Sequence, residues 1–276
     1  MSAEQQSPAP EKPEEPQEKH AEDDDSRMPF LAHLEELRTR LVRSAIAIGV
    51  CFIGTYAFKE ELYQGLAKPL KEVMPPGAKL IYTAPAEAFF TYLKIAFLAA
   101  VVAASPVIFH QLWKFIAPGL YKHERKAIWP FVILSSALFI VGSVFCYLMV
   151  FPFAFQFFMS FATDDIMPML SLKQYLSFTA TLLFAFGAVF EMPLVLVFLG
   201  RLGVVKSSTL KKQRKYAILI MFIVAAVLTP PDAFTQVMMA IPLCALYELS
   251  IWLVVATEKK KAERAAAEEA EVASED

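Results

Sequence analysis

Six runs of apolar residues divide this chain, and a soluble fold of its length has no core large enough to hide them. The runs lie near 41–58, 86–109, 128–152, 174–200, 216–229 and 233–256. A helix needs about 20 apolar residues to cross a hydrocarbon core about 30 Å thick. Lipid offers no partner to backbone amides, so a spanning segment must satisfy its own. Composition agrees, since 57% of the 276 residues are hydrophobic, against about 45–50% in soluble domains. The expectation is an all-α integral membrane protein with six transmembrane helices. No period of 20–50 residues repeats along it.

Charge placement sets the orientation, because short cytoplasmic loops carry excess lysine and arginine. Let the N-terminus lie inside. Eighteen basic residues then flank the inner ends of the runs: Arg27, Arg38, Arg40, Arg43, Lys114, Lys122, Arg125, Lys126, Arg201, Lys206, Lys211, Lys212, Arg214, Lys215, Lys259, Lys260, Lys261 and Arg264. The outer loops hold five, namely Lys59, Lys68, Lys71, Lys79 and Lys173. Both termini are therefore expected in the cytoplasm. The net charge of −2 gives no nucleic-acid signature. Residues 1–27, acidic and proline-rich, read as a disordered tail. Residues 28–256 read as the membrane domain, and 257–276 as a charged cytoplasmic tail.

The first outer loop, residues 59–85, carries Pro69, Pro75, Pro76, Gly77 and Pro85. A short helix near 60–72, a Pro-Pro-Gly turn and an extended piece at Leu80–Thr83 fit that pattern. Span five has about 14 apolar residues, roughly 21 Å of helix, which is short of the bilayer. Span six contains Pro242, and the turn between the two is Thr229-Pro230-Pro231-Asp232. Spans five and six are expected to form a thinned edge that binds a partner helix, unless span five borrows residues from Lys211–Lys215.

Enzymatic motifs are missing. The chain has no HExxH, no phosphate-binding glycine loop with Lys-Ser/Thr, and no GxSxG. Cys51, Cys146 and Cys244 each lie in an apolar run and read as small buried hydrophobes. No metal site, cofactor or covalent catalysis is expected. Glu191 lies inside span four, two residues before Pro193. A carboxyl at that depth is costly unless wet or paired, and Lys94 of span two is one possible partner. Glu248 reads either as a second intramembrane carboxyl or as an interfacial one, and Asp232 can act as a helix cap. On the inner face, Glu35, Glu36 and Glu124 stand among basic residues. They are either ordinary ion-pair partners or a site for a cationic ligand.

The run His33-Leu34-Glu35-Glu36-Leu37-Arg38 resembles the HLxELR signature of the TatC family, the multi-span subunit of the twin-arginine protein translocase. Phe115-Ile116-Ala117-Pro118-Gly119-Leu120-Tyr121-Lys122-His123-Glu124-Arg125 is similar to that family's first cytoplasmic loop. Phe186-Gly187, Phe190-Glu191-Met192-Pro193 and Leu228-Thr229-Pro230-Pro231-Asp232 resemble its fourth span and last outer turn. The likeness covers about residues 28–256 and implies a concave arrangement in the bacterial inner membrane. It implies a receptor for twin-arginine signal peptides, in a translocase that exports folded proteins using the proton-motive force. The implied partners are TatA- and TatB-type single-span proteins, further copies of the chain and the lipid bilayer. By the same resemblance, Glu36, Glu124 and Phe115 take the signal peptide, and Glu191 is the intramembrane polar group. Pro69, Asp232 and Gln236 serve structure or a partner helix. Glu35 departs from the commoner apolar residue at its place. The competing expectation is a proton- or ion-coupled small-solute transporter centred on Glu191, but such transporters show matched internal repeats, and none is visible here.

Overall fold

The computed structural model describes residues 18–75, 78–116, 128–163, 169–228 and 233–275. Residues 1–17 of the acidic segment, Pro76 and Gly77, residues 117–127 with Glu124, and residues 229–232 with Asp232 lie outside the described residues, while 18–27, expected to belong to a disordered tail, are helical at the start of α1. Among the described residues, ten α-helices follow in order: α1 Glu18–Ala57, α2 Lys59–Val73, α3 Glu87–Ile116, α4 Ile128–Phe145, α5 Phe151–Met159, α6 Leu172–Phe190, α7 Met192–Arg201, α8 Ser207–Lys212, α9 Arg214–Leu228 and α10 Ala233–Glu275. Among the described residues there is no strand, only one parallel bridge between Ile81 and Ser171.

Among the described residues, five segments are long and apolar enough to cross a membrane: His33–Ala57, Glu87–Ile116, Trp129–Met159, Leu172–Arg201 and Ala233–Glu263. They cover five of the six expected runs to within a few residues at most ends. The run near 216–229 becomes α9, 15 residues long, about 22 Å at 1.5 Å per residue. It gains only Arg214 and Lys215 from the basic run before it, because the chain breaks at Gln213 after the separate helix α8. The charged run after Thr257 does not leave the helix, since α10 continues to Glu275.

Proline explains two irregular helices. Pro193 has no N–H to donate, and the fourth span breaks into α6 and α7 with Glu191 at the joint. Pro152 follows a π-helical turn at Cys146–Val150, closed by the Phe151 N–H donating to the Cys146 carbonyl. The packing is layered. α1 lies along α3, α3 packs on α4 and α6, α4 on α6, and α7 and α9 on α10. Leu41, Ile46, Val50 and Ile53 of α1 stay exposed. An apolar face left open this way belongs against lipid.

Close approach of α4 and α6 depends on two glycines. A methyl group at Gly142 would stand 2.6 Å from the Phe186 carbonyl oxygen, and one at Gly187 would stand 2.6 Å from the Phe139 ring. Small residues let membrane helices pack backbone to backbone, where no hydrophobic force drives association.

Candidate functional site: a carboxylate shelf and two polar anchors

The described part of the candidate peptide site forms where the start of the first span meets the end of α3. The ring of His33 stacks on Phe115 with centroids 4.5 Å apart. One turn on, Glu36 Oε1 accepts from Arg40 Nη2 at 2.7 Å, an i,i+4 pair. Arg40 Nη1 reaches across to Gln111 Oε1 of α3 at 3.4 Å. Its side chain is 14% exposed against 32% for Glu36, and its Nε is buried without a partner among the described residues. The structure therefore brings Glu36 and Phe115 to one place, joined through His33, Arg40 and Gln111. Glu124 lies outside the described residues. Glu35 is exposed and forms no ion pair among them. Sequence reading did not pick out Arg40 and Gln111, although the Glu36–Arg40 spacing is a helical contact distance.

Glu191 sits deeper, 9% exposed, at the α6–α7 joint. Its Oε1 has no hydrogen-bond partner among the described residues. The Ser135 hydroxyl and the Phe139 backbone of α4 are the polar groups that face its carboxyl. Ser135 also accepts from Trp113 Nε1 at 2.8 Å, so α3, α4 and the joint share one polar thread. Lys94 is not that partner. It lies 19 residues before Trp113 on the same helix, about 28 Å along the axis.

At the opposite end of the bundle, Pro69 creates an anchor. Within α2 it has no N–H for the Gly65 carbonyl four residues earlier. Tyr147, carried by the π-helical turn, donates its hydroxyl to that carbonyl at 2.6 Å. Tyr175 of α6 donates to the Leu66 carbonyl at 2.7 Å. An unmet carbonyl becomes a fastening point for α2. Tyr147→Phe removes one fastening, about 1 kcal/mol, and is expected to raise the rate of proteolytic cleavage within 59–75. Cleavage unchanged from the parent would show that the hydroxyl holds nothing.

Glu87, 7% exposed at the start of α3, draws together the two segments beside α2. Its Oε2 accepts from the Thr83 N–H at 2.8 Å and the Thr83 hydroxyl at 3.1 Å. Its Oε1 accepts from the Lys173 N–H at 2.8 Å and the Ser171 hydroxyl at 3.0 Å. Thr83 is a local partner four residues away, but Ser171 and Lys173 lie 84 and 86 positions away, and no sequence signal pointed to them.

The last two helices are tied at both ends. Gln236 Nε2 donates to the Phe222 carbonyl at 3.1 Å, which joins α10 to α9. Arg214 Nη2 meets Glu248 Oε2 at 2.8 Å, with both side chains nearly half exposed. Glu248 is thus paired and half exposed rather than buried.

These features define a class: a polytopic α-helical membrane protein with a carboxylate shelf at one end and a buried carboxyl in its wall. A family model described as TatC, Sec-independent protein translocase protein, matches residues 32–242. Relatives with that name are 54% identical in Desulforapulum autotrophicum (83% of this chain, 84% of that protein) and 48% identical in Magnetococcus marinus (91% and 93%). The Escherichia coli K12 relative is 39% identical over 81% of this chain and 87% of its own. A crystal structure of a twin-arginine translocase receptor, TatC, superposes with a TM-score of 0.73 at 40% identity, covering 80% of this chain and 98% of that one. The chain belongs to the TatC family of Sec-independent protein translocase proteins.

Proposed function

We propose that this chain is the membrane-embedded receptor and core subunit of a twin-arginine translocase. It binds the arginine pair of a signal peptide and passes folded cargo across the bacterial inner membrane at the expense of the proton-motive force. The observation that carries the reading is the shelf, with Glu36 held beside Phe115 at the mouth of the α1–α3 contact. A guanidinium is a planar fork of donors that fits a carboxylate in two bonds. Two arginines require two carboxylates, and Glu36 and Glu124 are assigned to them. Each exposed pair contributes about 1 kcal/mol or less, so the apolar part of the peptide must also bury against the spans. The chain performs no covalent chemistry of its own.

In this reading α9 is a sixth, short span, and both termini lie in the cytoplasm. The charge bias of the loops supports that orientation. It puts the shelf on the side where a new signal peptide arrives. The α9–α10 hairpin, with Asp232 at its turn and Gln236 bonded to Phe222, is the edge assigned to TatA- and TatB-type helices. Pro69 keeps the outer cap in place. A small-solute transporter centred on Glu191 draws no support from the family or the fold.

Photocrosslinking of a twin-arginine peptide tests the assignment. Glu124→Ala is expected to reduce crosslinking to the shelf by up to about fivefold, the worth of an exposed pair of about 1 kcal/mol, and Glu35→Ala is expected to leave it within about 1.5-fold. Equal losses would overturn the choice of Glu124 over Glu35.

A further inference from the structure

We propose that a groove around Lys94 is a phospholipid site, in which the ammonium holds a headgroup phosphate and an acyl chain lies between α1, α3 and α6. The groove has a volume of about 490 Å³ and is walled by Phe52 of α1, Phe90 and Phe97 of α3, and Phe184 of α6. Lys94 is the one charged residue in its lining. It has no ion pair or hydrogen bond among the described residues.

Lys94 lies seven residues from the start of α3, about 10 Å along the helix. A cation at that depth is costly among acyl chains unless it reaches the interface or meets an anion. The lysine stem can lie along the phenyl rings while the ammonium points toward the headgroups. Thr181 donates back to the Ser177 carbonyl at 2.8 Å. The Ser177 hydroxyl is exposed and stands on the same wall as a second donor. The groove thus offers a fixed positive charge, a hydroxyl and a long aromatic wall side by side. A phospholipid carries the complement, a fixed negative charge joined to an apolar chain, and every leaflet supplies it. A partner helix bearing a carboxylate is the competing occupant. It would meet the charge, yet the walls offer it no polar group besides Lys94, Ser177 and Thr181. The proposal needs the chain to sit in a bilayer and does not depend on its receptor role.

Native mass spectrometry of the full chain, purified in mild detergent, reads the retained lipid. The parent is expected to keep phospholipid, and Lys94→Leu to lower retention about tenfold, as loss of a charge-assisted contact would. Lys94→Arg is expected to restore it. Lys68→Leu, which removes a lysine on α2 beside Glu72, is expected to change nothing. Add-back of phosphatidylglycerol and of phosphatidylcholine separates recognition of net negative charge from recognition of phosphate alone, and Lys94-dependent retention of either supports the site. A photoreactive group placed at Ala180, on the same wall, is expected to label lipid in membranes. Retention unaffected by Lys94→Leu, or labelling of protein alone, overturns the proposal.

Discussion

Glu36→Ala is expected to lower both the thermal midpoint and the capture of a twin-arginine peptide, while Glu36→Ala combined with Arg40→Leu recovers the midpoint and leaves capture lost. The reason is the state of Glu36 before any peptide arrives. Its carboxylate already holds Arg40, whose side chain is 14% exposed and bonded to Gln111. Removing one member of such a pair strands the other. At this partly buried position the cost is about 2 kcal/mol. Replacing both members with apolar side chains removes the stranded charge, and such exchanges are often neutral or stabilising. Stability and binding therefore separate in the double variant.

Under the proposed role, capture is expected not to recover, because Arg40 occupies Oε1 and Oε2 of Glu36 is assigned to an incoming guanidinium. Its loss is expected to weaken peptide binding by up to about fivefold, the worth of an exposed charge pair of about 1 kcal/mol. Glu36→Gln sharpens the test, since it keeps an acceptor for Arg40 and discards the charge. Its midpoint is expected to fall between parent and Glu36→Ala, with capture reduced as in the alanine variant. If the double variant regains capture as well, Glu36 serves only to balance Arg40, and the peptide's arginines are read elsewhere.

Local patterns carried much of this fold. Hydropathy alone located five spans to within a few residues at most ends, and the shortness of the run before Thr229 foretold a 15-residue α9. Proline marks the break beside Glu191 and the freed Gly65 carbonyl within α2. Contacts between distant segments stayed hidden, because nothing in a single sequence pairs positions 82 or 109 residues apart. The two tyrosine anchors are of that kind, and so are the bonds from Ser171 and Lys173 to Glu87. Yet Pro69 was a usable signal. A proline inside a helix obliges the carbonyl four residues earlier to find another donor, so a partner for Gly65 had to exist. Lys94 shows the reverse error. Two opposite charges in spans invite pairing, but the rise of α3 holds Lys94 far from the Trp113–Ser135 thread that faces Glu191.

The α4–α6 contact gives the other large effect, and its two glycines are expected to behave differently. At Gly142 a methyl group would meet the Phe186 carbonyl oxygen at 2.6 Å and Phe190 Cγ at 2.7 Å. The first obstacle is backbone and cannot rotate away. Gly142→Ala is therefore expected to push the helices apart, at about 1–3 kcal/mol for an overpacked contact, and Phe190→Leu in the same chain is not expected to rescue it. At Gly187 the three nearest atoms all belong to the Phe139 ring. Gly187→Ala should lose stability alone and regain most of it with Phe139→Leu, because a smaller side chain vacates the space. Thermal midpoints of the four variants in detergent decide the matter. Rescue at Gly142, or its failure at Gly187, would contradict the geometry. The consequence reaches beyond packing. Ser135 and Phe139 of α4 face the Glu191 carboxyl across this same contact, and Ser143 donates to the Leu183 carbonyl at 3.4 Å. A shift of α4 moves the polar surroundings of Glu191 even though the carboxyl itself is unchanged. Gly142→Ala is thus expected to impair transport to the extent that Glu191→Ala does, and a Gly142→Ala protein with full transport would detach Glu191 from the α4–α6 contact.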